Sequence, residues 1–236
     1  MTDSDSIQFI YFDLDDTLLD HRHAERAALG DVIEHFPTLF AGHSLDALHT
    51  TYHEINAPLW KAYASGDIDK SFLKAARFRR LLQALGADAT RSAAVNQYYL
   101  SRYADHWQYV PGAYAAYTHL ADTYRVGILT NGFAEIQSQK MKQFPALQKR
   151  ASSVVISEET GHLKPHPAVF AYAANQAGVA PESVLYVGDS YGSDVKGTAR
   201  AGWRVAWYVR GDTAAHPVPH GFTFSSWDVL RTRLVP

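Results

Sequence analysis

The chain has 236 residues, of which 47% are hydrophobic, with a formal net charge of -2 and no cysteine. That apolar content suffices for a sizeable core, and the near-neutral charge provides no basic surface for a nucleic-acid polymer or an anionic membrane. Without cysteine there are no disulfides, thiol nucleophiles or thiolate metal sites. No apolar run approaches the ~20 residues that cross a bilayer, and the polar N-terminus is unlike a signal peptide. We therefore expect a soluble cytoplasmic protein, monomeric or homodimeric.

The first predicted element is a short strand that ends in carboxylates. Residues 9–12 are aromatic or β-branched, and Asp13 and Asp15 follow directly. Such a run is typical of a buried strand in a parallel sheet, and open α/β sheets bind ligands at the carboxyl ends of their strands. Two carboxylates there suit a hard cation such as Mg2+, or a division of nucleophilic and acid–base roles. Taken alone, the pair is explained equally well as a solvated acidic turn.

Residues from about 20 to 108 are predicted to form four helices. Apolar residues such as Leu45, Leu48 and Tyr52 recur at spacings of three and four, which gives one apolar stripe on a helix. A later helix repeats the pattern until Gly86, a typical C-terminal residue. Short connections between the helices predict a small bundle.

After Pro111 the pattern changes to strands that alternate with helices. Strands are predicted at 124–130, 153–157, 183–188 and 204–209, with helices at 111–122, 133–143, 167–178 and 192–201, and residues 222–224 as a further edge strand. This alternation predicts βαβ units and a parallel sheet. The predicted fold is a doubly wound α/β core of residues 1–20 and 109–236, with a helical domain of residues 21–108 inserted after the first strand. An insertion at that place could act as a lid over a ligand site.

Polar residues also follow the later strands of the predicted core. Thr130-Asn131-Gly132 end the second strand, Lys164 follows the third, and Asp189 and Asp194 follow the fourth. Singly, these signals are weak, since Thr-Asn-Gly is usually a plain turn, a loop lysine is usually solvated, and acids are favoured at helix starts. A parallel sheet, however, brings all the strand ends to one edge. Several carboxylates and one lysine at that edge indicate a site for a hard cation and a phosphate group.

The order of these motifs resembles that of the haloacid dehalogenase-like (HAD) hydrolase superfamily. The first motif is Asp13-Leu14-Asp15-Asp16-Thr17-Leu18, and the other three follow in order, so that the resemblance covers residues 7–210. The inserted helices resemble the C1 cap of subfamily I. The resemblance implies a phosphatase in which Asp13 attacks the phosphoryl group to form an aspartyl-phosphate. Asp15 would be the general acid for the leaving oxygen and then the base for water.

The resemblance also implies roles for the other motif residues. Mg2+ would be held by the Asp13 carboxylate, the Asp15 backbone carbonyl and Asp189. Asp194 would act nearby or through water and orient Lys164, whose charge would offset that of nucleophile and phosphate. Phosphoryl oxygens would be bound by Thr130 and by the backbone N–H groups of Asn131 and Gly132. Within the first motif, Asp16 is expected to face solvent.

The expected partner is a small phosphorylated metabolite. The run Leu129-Thr130-Asn131-Gly132-Phe133 with Gln137 looks most like the pyrimidine 5'-nucleotidase branch. By the same resemblance, the Trp60 ring could stack on a nucleotide base, and Arg77 could donate hydrogen bonds to the carbonyl groups of that base. Trp60 is equally explained as part of the core of the helical bundle.

Several alternatives remain open at this point. They are a sugar-phosphate or N-acylneuraminate-9-phosphate phosphatase and a mutase similar to β-phosphoglucomutase. A haloacid dehalogenase is disfavoured because that branch lacks a carboxylate at the position of Asp15. A phospho-accepting receiver domain, which has no inserted bundle, is disfavoured by the helices.

Overall fold

The computed structural model describes residues 7–211 and 216–235. The chain divides into two compact units, which are Met1–Asp20 with Tyr109–Pro236 (the core unit) and His21–Gln108 (the helical unit). Among the described residues, no helix is both long and apolar enough to cross a membrane.

The helical unit, described throughout, consists of four α-helices: α1 (His21–His35), α2 (Leu45–Ser65), α3 (Lys70–Ala84) and α4 (Ser92–Asp105). Local chemistry sets their ends. Asp69 accepts a hydrogen bond from the backbone N–H of Phe72 at 2.7 Å at the start of α3, and Gly66 ends α2 in the left-handed conformation. The apolar stripes meet in an aromatic cluster in which the Tyr99 ring lies 5.0 Å from Phe78 and 5.7 Å from Tyr52.

Six strands of the described chain form one wholly parallel sheet in the order β3-β2-β1-β4-β5-β6. The strands are β1 (Phe9–Phe12), β2 (Arg125–Thr130), β3 (Ala151–Ile156), β4 (Val184–Gly188), β5 (Arg204–Tyr208) and β6 (Gly221–Phe224). The predicted doubly wound α/β class is confirmed, and the edge strand at 222–224 is β6. The strand order reverses at β1 and β4, which is where open sheets of this kind bind ligands.

β1 lies at the centre because both of its faces are apolar. Ile10 and Phe12 belong to one hydrophobic cluster, whereas Phe9 and Tyr11 belong to another on the opposite side of the sheet. The helices that cover the sheet are α5 (Ala113–Thr123), α6 (Ala134–Gln143), α7 (Pro145–Arg150), α8 (Pro167–Ala177), α9 (Lys196–Ala201) and α10 (Trp227–Leu234). Helices α7 and α10 were not predicted. The predicted helix at 192–201 is a π-helical turn at Tyr191–Val195 that continues into α9.

The backbone of β2, which ends at Thr130, depends on the absence of a side chain at Gly127. A Cβ atom there would lie 2.6 Å from Tyr11 Cε1 and 2.9 Å from the backbone oxygen of Ser153. We expect Gly127→Ala to lower the free energy of unfolding by about 1–3 kcal/mol, because the packed sheet cannot yield. Urea unfolding measures the loss, and Gly192→Ala is the matched control, since nothing lies within 4 Å of a Cβ atom there. Equal losses in the two variants would contradict this account.

Candidate active site

The site begins where β1 leaves the sheet. The backbone N–H of Asp13 donates to the carbonyl of Val187 at 2.8 Å, so the pairing of β1 with β4 continues by one residue. This bond fixes the backbone of Asp13, whose carboxylate is buried at the edge of the sheet.

A tight turn follows, and it draws Asp16 inward. The carbonyl of Leu14 accepts hydrogen bonds from the backbone N–H groups of both Leu18 and Leu19. Asp16 takes a left-handed conformation with φ of 58°, which aspartate tolerates better than most residues. Only 8% of Asp16 is exposed, with its carboxylate 3.8 Å from the Arg210 guanidinium. The expectation that Asp16 faces solvent is therefore wrong, because burial of the neighbouring leucines tightens the turn.

Lys164 is the centre of the site. It is 1% exposed, and its ammonium group donates to Asp13 and to Asp194, at 2.9 Å in each case. It also donates to the hydroxyl of Tyr186, which in turn donates to the backbone oxygen of Leu129. All three ammonium protons thus have acceptors. Burial alone would lower the pKa of Lys164, but the carboxylates of Asp13 and Asp194 outweigh burial and raise it. A solvated loop lysine is excluded at this position.

Asn131 holds the loop that carries Lys164. Its amide group donates to the backbone oxygen of Lys164 at 3.0 Å, and its side-chain oxygen accepts from the backbone N–H of the same residue at 2.9 Å. Ser157 donates to that oxygen at 2.7 Å. The side chain of Asn131 therefore joins the end of β2 to the lysine loop. Binding of phosphate by the backbone N–H groups of Asn131 and Gly132 stays a prediction.

Asp194 and Asp189 approach from the end of β4. Asp194 is fully buried, and one of its oxygens accepts from the backbone N–H of Ser190 at 2.9 Å. A Cβ atom on Gly188 would overlap the Asp194 carboxylate, so the glycine at the end of this strand makes room for the acid. The backbone oxygen of Asp189 accepts from the indole N–H of Trp207 at 2.8 Å, which fixes this residue from β5.

The donor set fits a divalent cation. Oxygen atoms of Asp13, Asp189 and Asp194 lie within 4.8 Å of one another. Two of the three carboxylates, those of Asp13 and Asp194, contact the ammonium of Lys164. Carboxylate oxygens are the ligands that hard cations such as Mg2+ prefer, and a divalent ion would add positive charge to this acidic cluster.

Asp15 points to a different set of partners. One carboxylate oxygen accepts from the ammonium of Lys140, and the other accepts from the amide of Gln137 at 3.0 Å. The same amide donates to the hydroxyl of Thr130 at 2.7 Å and to the backbone oxygen of Asn131 at 2.9 Å. Asp15 is thus tied to α6 and, through Gln137, to the predicted phosphate-binding residue Thr130.

Neither Gln137, which was named only for the family resemblance, nor Lys140 was placed in the site by the sequence analysis. Both are almost fully buried, and they lie three residues apart on the same face of α6. A signal was present, because a helix that packs on a sheet normally presents apolar side chains at its inward positions. In α6 two of the three buried positions are polar, and the third is Met141.

Two predicted substrate-binding residues lie in the helical unit. Arg77 is 4% exposed, donates twice to the side-chain oxygen of Asn96 and lies over the ring of Tyr99 at 5.4 Å. These contacts make Arg77 part of the interior of the bundle. Trp60 is half-buried, with its ring 5.7 Å from that of Tyr63. A part in substrate binding stays a prediction for both.

The doubly wound parallel sheet thus carries a buried lysine between two aspartates at its ligand-binding edge. The chain matches the profile of the haloacid dehalogenase-like hydrolases over residues 7–202. It belongs to this family, and its relatives identify it as an enzyme of the phosphatase type.

Three relatives show the likeness in detail. The chain is 32% identical to the pyrimidine 5'-nucleotidase YjjG of Escherichia coli over 157 residues, 66% of this chain and 68% of that protein. It is 30% identical to the pyrimidine 5'-nucleotidase PynA of Streptococcus pneumoniae over 92% of both chains. The magnesium-bound crystal structure of YfnB from Bacillus subtilis is similar with a TM-score of 0.84 and 27% identity, covering 98% of this chain and 99% of that one.

The dependence of stability on pH tests the burial of the Asp13 carboxylate. Burial raises the pKa of Asp13 from its ordinary value of 3.8 to about 7, with the charge of Asp194 adding to the rise and Lys164 opposing it. Between these two values the folded protein retains a proton that the unfolded chain releases, so stability falls as the pH rises. Asp13→Asn removes this cost. Without divalent cations we expect the variant to have a higher Tm than the parent near pH 8, and the difference to vanish near pH 4.

Thermal unfolding in the presence of a chelator measures the difference across that pH range. The matched control is Asp228→Asn, at an exposed carboxylate of α10, which should leave the pH dependence of Tm unchanged. A lower Tm for Asp13→Asn near pH 8 would mean that the buried charge stabilises the fold.

Proposed function

We propose that this protein is a Mg2+-dependent phosphomonoesterase that forms an aspartyl-phosphate at Asp13 and acts on pyrimidine nucleoside monophosphates. The observation that carries the proposal is the Asp13 carboxylate, fixed at the end of β1 and bonded to a buried lysine. A nucleophile needs a defined position and an environment that accepts incoming negative charge. Lys164 supports both requirements.

In the first step a carboxylate oxygen of Asp13 attacks phosphorus, and the bond from phosphorus to the leaving oxygen breaks. Asp15 gives a proton to that oxygen, so that an alcohol leaves and the phosphoryl group stays on Asp13. Thr130 and the backbone N–H groups of Asn131 and Gly132 would bind the phosphoryl oxygens. Positioned proton transfer of this kind typically contributes about 10^2–10^4-fold to the rate.

In the second step water attacks the phosphorus of the aspartyl-phosphate. Asp15, now a carboxylate, takes a proton from the water while the bond between phosphorus and Asp13 breaks. Inorganic phosphate leaves, and both carboxylates return to their starting states. Asp15 distinguishes this chemistry from halide displacement at carbon, where the leaving group needs no acid.

Asp13, Asp189 and the backbone oxygen of Asp15 would hold the cation, with Asp194 beside them. When bound, Mg2+ would offset the charge between nucleophile and phosphate and orient the phosphate for attack. Support comes from the three converging carboxylates and from the similar YfnB, whose crystal structure contains magnesium.

The substrate proposal rests on the relatives. YjjG and PynA are both pyrimidine 5'-nucleotidases, and the likeness to PynA extends over 92% of each chain. A small phosphorylated metabolite of this kind suits an enzyme of the cytoplasm, which is where we propose that it acts.

Phosphate release over a panel of substrates tests the function. The panel contains UMP, dUMP, dTMP, AMP, glucose 6-phosphate, an N-acylneuraminate 9-phosphate and 4-nitrophenyl phosphate, each with Mg2+ and with a chelator. We expect metal-dependent release that is fastest on the pyrimidine nucleotides. Asp13→Asn should lower kcat by more than about 10^3-fold, because it removes the nucleophile.

The matched control is Asp122→Asn, the same substitution at an exposed carboxylate paired with Arg150, which should retain full activity. Faster release from the sugar phosphates would contradict the proposed pyrimidine nucleotide substrate but would still support a phosphatase. Full activity of Asp13→Asn would overturn the mechanism.

A further inference from the structure

Lys140 on α6 is an unusual residue for the inward face of a helix. Its side chain is 2% exposed, and its ammonium contacts a carboxylate oxygen of Asp15, which is 27% exposed. Burying a charged lysine costs free energy, and a buried ion pair often stabilises a fold no better than apolar residues of the same size. A contribution to the stability of the fold therefore does not explain why a lysine occupies this position.

The contacts of Asp15 suggest a better reason. Each of its two carboxylate oxygens has its own donor, Lys140 for one and Gln137 for the other. Two donors from one rigid helix fix both the position and the plane of the carboxylate.

Gln137 also links Asp15 to the end of β2. Its amide donates to the hydroxyl of Thr130, and that hydroxyl donates to the backbone oxygen of Asn131 at 3.1 Å. The space for Gln137 depends on Gly132, where a Cβ atom would lie 2.9 Å from Gln137 Cδ. One helix face thus sets the acid–base carboxylate at a fixed distance from the residue that would bind phosphate.

We propose that Lys140, together with Gln137, is a positioning residue that holds the Asp15 carboxylate in place for proton transfer. This inference rests on the proposed function, in which Asp15 gives a proton to the leaving oxygen. Proton transfer is sensitive to geometry, and a misplacement of about 1 Å can cost about 10^2-fold in rate. A structural role of Lys140 would instead affect every substrate alike.

The test compares substrates that need the acid with one that does not. Lys140→Met keeps an unbranched side chain, one heavy atom shorter, and removes its charge. With Mg2+ present, kcat/KM is measured on the best nucleotide or sugar phosphate of the panel and on 4-nitrophenyl phosphate, whose leaving group departs without a proton. We expect kcat/KM of Lys140→Met to fall about 10^2-fold on the nucleotide or sugar phosphate and less than about 3-fold on 4-nitrophenyl phosphate.

A second signature comes from the hydrolysis step, which needs Asp15 as a base. On 4-nitrophenyl phosphate, kcat and KM of Lys140→Met should fall together, because aspartyl-phosphate still forms but is hydrolysed slowly. The matched control is Lys142→Met, the same substitution at an exposed position of the same helix, which should leave both substrates unchanged.

The ratio between the two substrates does not depend on how much of the variant is folded. Equal losses on both substrates, or no loss on either, would overturn the inference. Failure of the parent protein to release phosphate from any substrate would overturn the proposed function instead, so the two failures are distinguishable.

Discussion

The site depends on the ion pairs that the buried ammonium of Lys164 makes. The ammonium lies 2.9 Å from a carboxylate oxygen of Asp13 and of Asp194, and both carboxylates are too buried for water alone to stabilise their negative charges. The sheet makes this arrangement possible, because β1 and β4 are neighbours and the loop after β3 is held against β2 by Asn131. Burial disfavours the ionised carboxylates, and the positive charge of Lys164 makes them compatible with a folded protein.

Under the proposed mechanism, a second lysine–carboxylate pair would have a different task at the same edge of the sheet. Lys164 faces the buried Asp13, the proposed nucleophile, whereas Lys140 faces the more exposed Asp15, the proposed proton donor and acceptor. Different surroundings for two nearby carboxylates are a common way to divide nucleophilic and acid–base work. Here the proposed division would follow from topology, since one lysine comes from a loop and the other from the helix after β2.

Most of the fold and the centre of the site could be predicted from the sequence, because a parallel sheet brings strand ends together whatever their separation in the chain. That rule found Asp13, Lys164, Asp189 and Asp194. It could not find Lys140, whose position depends on which face of α6 turns inward. Nor could it find the buried Asp16, because turn geometry is set by packing of the leucines around it. Polar residues at inward helix positions were the signal that went unused.

The most direct test is to identify the phosphorylated residue. The protein is mixed with its best substrate and Mg2+, quenched with acid and treated with borohydride, which reduces an acyl phosphate to an alcohol. Mass spectrometry of the peptides should then find homoserine in place of aspartate at residue 13, and only after exposure to substrate. Turnover without reduction at residue 13, or with reduction at another carboxylate, would contradict the assignment of Asp13 as the nucleophile.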